Sequence, residues 1–159
     1  MDGDSVTGDI VQQIAALQAQ AGTLAFDRFG HEEALQLGQI LLQLSQARRH
    51  PVMIGIDLGP QAVFRAALPG STPDNQSWLE RKFAAVRRFY VSSLELELQQ
   101  QLEPDFAALR GLDIARYAFA GGALPLRIGP TVVGVAGVSG LRSADDHALV
   151  AEAIGLMAR

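Results

Sequence analysis

The sequence predicts a mixed α/β (α+β) domain in which helices cover an antiparallel sheet. Three observations carry that expectation. Short extended runs come in pairs joined by Gly-Pro turns, at Gly59-Pro60 and Gly129-Pro130, which is a hairpin signal. Runs with helical periodicity flank those pairs, in the order helix, helix, two strands, helical region, three strands, helix. No strand–helix–strand alternation of the kind that builds a parallel sheet is present.

Composition narrows the class. A chain of 159 residues suits one domain, over residues 1–159, with a genuine core. Its first helix, within residues 1–22, is expected to be peripheral or to serve oligomerisation. Hydrophobic content of 48% against 19% charged residues leaves a somewhat apolar surface, which points to a homo-oligomer. A formal net charge of −4 argues against nucleic acid as a partner, because phosphate contacts need a basic face. The absence of cysteine excludes disulfides, thiolate nucleophiles, zinc–thiolate sites and iron–sulfur clusters. The opening residues MDGDSVTGD are acidic and carry no apolar region, so no signal peptide is read. Apolar runs such as residues 131–138 are too short to span a bilayer. A cytoplasmic location without membrane attachment is the expectation.

In chain order, Ile10, Val11, Ile14, Leu17 and Ala21 recur at helical spacing and predict a helix over residues 7–21, stopped by Gly22. Residues 23–29 read as a short extended piece or an irregular packed link. Leu37, Ile40, Leu41 and Leu44 form one face of a second helix, with Glu32 and Glu33 at its positive end and Arg48 and Arg49 at its negative end. Gly38 in its middle costs about 1 kcal/mol against alanine, which close packing against another backbone would explain. Pro51 ends that helix. The runs VMIGIDL and QAVFRAAL then form the first hairpin, with Ala62, Phe64 and Ala66 on one face and Val63, Arg65 and Ala67 on the other. The loop PGSTPDNQ leads into a helix expected to run past Phe89 through Leu94, Leu96, Leu98 and Leu102 to Pro104. A short helix ended by Gly111 follows. The last third predicts three strands, within ARYAFAGGALPLRI and TVVGVAGVSGL. Residues 143–146 resemble a capping box that opens a final helix with Leu149, Val150, Ala153, Ile154 and Met157 on one face.

The segment GSTPDNQSWLERKFAAVRRF holds the chain's one tryptophan and four closely spaced cations. At about 100° per residue, Trp78, Leu79, Phe83, Val86, Phe89 and Tyr90 share an arc of roughly 140°. Lys82 falls inside that apolar arc, and Arg81 and Arg88 border it. Two readings are open: the Lys82 stem lies along the core while its ammonium snorkels to water, or Lys82, Arg81 and Arg88 reach a pocket for a small anionic ligand. Arg87 projects to the polar face, solvated or paired with Glu80. A second candidate is the junction from Val138 to His147. Its free N–H groups at a helix start could bind an anion, with His147 held neutral by the dipole. Alternatively Ser143 and Asp146 only cap the helix. Gly121-Gly122 before Pro125 suits a bulge at a pocket rim. No zinc-protease, EF-hand, nucleophile-elbow, P-loop or dinucleotide motif is present, and the three histidines lack metal-ligand spacing.

The ordered set Ala34-Leu35-x-Leu37-Gly38, Gly70-x-x-Pro73-Asp74-Asn75-x-x-Trp78-x-x-Arg81-Lys82, Ser92-Ser93, Gly121-Gly122-x-x-Pro125 and Val138-Ser139-Gly140-Leu141-x-x-x-Asp145-Asp146-His147 resembles the HbpS/GlcG-like "haem-degrading domain" family. The likeness covers roughly residues 23–158 and is strongest to a branch of short cytoplasmic proteins with a PDNxxWxxRK signature. It implies a profilin-like three-layer α/β/α fold with a five-stranded antiparallel sheet in the order 2-1-5-4-3, and a homo-oligomer. It also implies haem as a candidate cofactor, with His31, His50, His147, a Met or a Tyr as available axial donors. Arg81, Lys82 and Arg88 would suit propionates, or equally a small carboxylate or phosphate. Two functions are thus expected as alternatives. One is a small-ligand-binding protein whose site joins Trp78, Arg81, Lys82, Arg88, Gly121, Gly122, Asp146 and His147. The other is a non-catalytic oligomeric scaffold or protein-interaction module.

Overall fold

A computed structural model describes residues 2–158. Its elements are α1 (Asp2–Ala21), α2 (His31–Ala47), β1 (Met53–Leu58), β2 (Gln61–Ala67), α3 (Pro73–Phe89), α4 (Ser93–Leu102), α5 (Phe106–Leu109), β3 (Ala123–Ile128), β4 (Thr131–Ser139) and α6 (Ser143–Met157). The strands form an antiparallel sheet in the order β2-β1-β4-β3.

Strand alternation sorts the side chains between two faces. Ile54, Ile56, Leu124, Leu126, Ala136 and Val138 point to one face and pack with Leu37 and Leu41 of α2 and Leu149, Val150 and Ile154 of α6. Met53, Ala123 and Val135 point the other way, against Leu79, Phe83 and Val86 of α3. Helices therefore cover both faces. Gly55 and Gly137 lie opposite each other in the β1–β4 ladder. A Cβ on Gly55 would come within 2.8 Å of Leu79, and one on Gly137 within 2.7 Å of the Phe83 ring. These two positions let α3 settle directly on the sheet.

Several expectations change. Among the described residues the sheet has four strands, not five. The stretch 115–120 alternates like a strand, but its N–H groups go elsewhere. Tyr117 donates to Asp113 O at 3.0 Å, and Ala118 donates to Arg81 O on α3 at 3.1 Å. Phe119 joins Phe89 and Phe106 in an aromatic cluster. With that strand absent and the rest renumbered, the implied order 2-1-5-4 becomes the observed 2-1-4-3.

The long third helix is also two helices. Tyr90 takes the left-handed conformation (φ 58°) and ends α3. Ser92 becomes the N-cap of α4, accepting from Glu95 N at 3.2 Å. Ser93 opens α4, and its hydroxyl accepts from Ala123 N at 3.0 Å. α1 begins at Asp2 rather than Thr7 and packs Ile10, Ile14 and Leu17 against Leu94, Leu98 and Leu102, while Val11 is exposed. Residues 23–29 are a packed link whose Phe26 bridges Ile128. Gly38 faces a side chain rather than a backbone: its Cβ would lie 2.4 Å from the Phe64 ring.

Candidate functional site

α3 starts where Pro73 follows Thr72, whose N–H donates to Asn75 Oδ1 at 2.8 Å. Two turns on, Lys82 is 3% exposed. The ammonium does not snorkel. It donates to Asp146 Oδ2 and to Val138 O, each at 3.3 Å. Asp146 stands in the first turn of α6 and is 1% exposed. Its carboxylate accepts from Leu141 N at 2.9 Å and from Gly140 N at 3.3 Å, folding the loop after β4 onto the helix start. Burial pulls the Lys82 pKa below its ordinary value, although Asp146 opposes this. Burial likewise pushes the Asp146 carboxyl up, against the pull of Lys82 and the two N–H groups.

The glycine pair packs closely behind the ion pair. Gly121 lies against α6, where a Cβ would meet Ser143 O at 2.3 Å. Gly122 has φ +133° and a Cβ there would fall 2.8 Å from Lys82 Nζ, so the ammonium occupies space that only glycine leaves. Beside Lys82 and Asp146 opens a cavity of about 250 Å³ walled by Asn75, Trp78, Ser139, Gly140 and Leu141. Ser143 does not cap α6; its hydroxyl donates to Glu97 Oε1 at 2.9 Å.

Other expected members lie apart. Arg81 stacks on Trp78, with 4.2 Å from the guanidinium carbon to the ring centre. Both border a different hollow of about 310 Å³ beside Ile114 and Tyr117. Arg88 donates to Arg110 O at 3.0 Å and approaches Tyr117 and Phe89. The cationic rim of Arg81, Lys82 and Arg88 is therefore not assembled. Arg87 is neither free nor paired with Glu80: it binds Asp57, which also holds Arg65 at 2.7 Å. Sequence reasoning missed that trio, since its members belong to three elements.

His147 follows Asp146 by one residue and faces another cavity, as the 100° helical step requires. Its Nε2 donates to Gln20 Oε1 of α1 at 2.9 Å. Nδ1 is thereby the lone-pair nitrogen, buried and without a partner. Burial lowers the imidazole pKa to about 4, so the ring is neutral at physiological pH. The cavity here measures about 390 Å³ and lies among the end of α1, α4, β3 and α6. Leu17, Leu24, Val91, Leu124 and Pro125 wall it, with Arg127 at its edge. Gln20 and Arg127 carried no signal in the sequence. Lys82 carried one that composition alone holds: of thirteen cationic side chains, twelve are arginine and it is the single lysine.

Among the described residues, no helix is long and apolar enough to cross a membrane. A family model described as "Haem degrading protein HbpS-like" matches residues 29–155. A UPF0303 protein of Brucella canis is 40% identical over 148 residues, covering 92% of this chain and 88% of its own. One from Streptomyces avermitilis is 41% identical over 143 residues, covering 89% and 88%. Among solved structures, the Ybr137w protein superposes with a TM-score of 0.84 at 24% identity, over 91% of this chain and 87% of that one. HbpS does so at 0.64 and 20% identity, over 82% and 89%. The PduOC:heme complex does so at 0.65 and 16% identity, over 79% and 92%. These three likenesses concern the fold.

Proposed function

Because this chain belongs to the HbpS-like family of haem-degrading proteins, we propose that it is an oligomeric, cytoplasmic small-ligand-binding protein whose ligand is haem or another anion with an apolar body. One observation carries this reading: the buried, neutral imidazole of His147, held through Nε2 by Gln20 and with Nδ1 unpartnered, beside a 390 Å³ cavity of mainly apolar lining. That volume lies in the range of small-molecule sites. The residues present fit haem. A neutral imidazole is an axial donor, the leucine and proline walls suit a macrocycle, and the Arg127 guanidinium suits a carboxylate. Haem, when bound, would supply a redox-active iron; the protein would supply the His147 nitrogen, the leucine and proline walls and the Arg127 charge. The Lys82 cavity fits haem poorly, being smaller and holding no imidazole, phenol or thioether among its walls.

The test is haemin titration followed by the Soret band. The wild type and Lys82→Met are expected to show the same saturable shift. His147→Ala, with an unchanged far-UV circular dichroism spectrum, is expected to bind at least about tenfold more weakly, or about 1.4 kcal/mol. Equal uptake by wild type and His147→Ala would remove the site.

The scaffold alternative draws on a different observation, the exposure of Leu109 (78%) and Ile114 (80%) around α5. If these side chains join subunits, Ile114→Ser lowers the assembly mass in light scattering. An unchanged mass would leave that alternative without support.

A further inference from the structure

Lys82 is the only lysine in the chain, and the fold does with it what it does with none of the described arginines, burying it to 3% exposure at the floor of a cavity. A guanidinium stays protonated and cannot act as a nucleophile, whereas an amine can. The neighbourhood is also built for proton exchange. The Asp146 carboxylate is 3.3 Å from Nζ and is itself fixed by two backbone N–H groups. Gly122 leaves the space in which Nζ sits. Asn75 Oδ1 is occupied by the backbone of Thr72, which turns the amide's N–H₂ group into an available donor at the cavity wall. We propose that Lys82 is an imine-forming amine that takes a small aldehyde in the 250 Å³ cavity, with Asp146 as its acid–base partner.

The step balances without any redox co-reactant. Asp146 takes a proton from the Lys82 ammonium, and the freed nitrogen pair attacks the carbonyl carbon as the C=O π pair moves to oxygen. That oxygen takes the proton from Asp146, and the new nitrogen–carbon adduct returns one to Asp146. Asp146 then protonates the hydroxyl, water leaves, and the nitrogen pair closes the C=N bond. The sum is ammonium plus aldehyde giving protonated imine plus water. Burial that lowers the Lys82 pKa and raises that of Asp146 favours the first transfer. This assignment is independent of the His147 cavity.

A single lysine makes the test direct. The full folded chain is incubated with limiting acetaldehyde and cyanoborohydride, which reduces an imine to a stable ethylamine, and the adduct is mapped by peptide mass spectrometry. Lys82 is expected to be ethylated at least about tenfold faster than the chain's N-terminal amine, although a buried amine without a built site would be shielded. Lys82→Arg, folded by circular dichroism, leaves only the terminal adduct. Asp146→Asn slows Lys82 labelling. Labelling of Lys82 no faster than the terminal amine, or only after addition of urea, overturns the proposal whatever the variants do.

Discussion

Removing Asp146 should be more damaging than removing Lys82, although the two form one ion pair. In Asp146→Leu the ammonium keeps a single acceptor, Val138 O at 3.3 Å, and remains buried. Breaking a buried pair in this way costs about 3–5 kcal/mol. The N–H groups of Gly140 and Leu141 lose their acceptor as well. In Lys82→Met the carboxylate keeps both of those donors and loses one partner of three. Its cost should stay below about 3 kcal/mol. The double variant Lys82→Met/Asp146→Leu leaves no buried charge at this site and should be more stable than Asp146→Leu alone. Urea unfolding followed by circular dichroism supplies the free energies from midpoint and slope. For a chain of this size a loss of about 4 kcal/mol lowers Tm by roughly 8–16 °C. A cost for Asp146→Leu under about 1 kcal/mol, or a double variant no better than that single one, would refute the view of a buried, mutually dependent pair.

Two further outcomes are expected. The His147 imidazole has a folded pKa of about 4 against an ordinary 6.5, so the unfolded chain binds the extra proton first. Its contribution is complete above pH 6.5 and is lost as pH falls through about 4, amounting to about 3 kcal/mol. Glu95 and Arg127 border the same cavity, so the comparison is between wild type and His147→Gln, and equal pH slopes would remove the claim. Gly38→Ala drives a methyl into the Phe64 ring and should cost about 1–3 kcal/mol despite the better helix propensity of alanine. Phe64→Leu in the same chain should recover part of it; strictly additive losses in the unfolding midpoint would show that the two do not touch.

Much of the fold was legible in the chain because it is periodic. The apolar faces of α2 and α6 and the α3 arc of Leu79, Phe83 and Val86 repeat at helical spacing and are buried accordingly, and the Gly-Pro pairs mark the two hairpin turns. The divergence of Asp146 and His147 was legible too, since successive helical residues differ by about 100°; grouping them in one site set that geometry aside. Residues 115–120 misled because alternation describes side chains only, while a strand needs a neighbour for its N–H groups, and here α3 supplied the acceptor for Ala118.

The single lysine within an apolar helical arc is a property of the sequence alone. Whether its ammonium reaches water or a carboxylate depended on Asp146, 64 residues away, and the fate of Arg87 depended on Asp57, 30 residues away. The His147 cavity likewise needs Gln20, 127 residues distant. Periodicity reports which face of an element leaves water, because burial acts on each element's own repeat. Which charges then meet is decided by how those faces pack, so only the tertiary structure could pair Lys82 with Asp146 and turn His147 away from both.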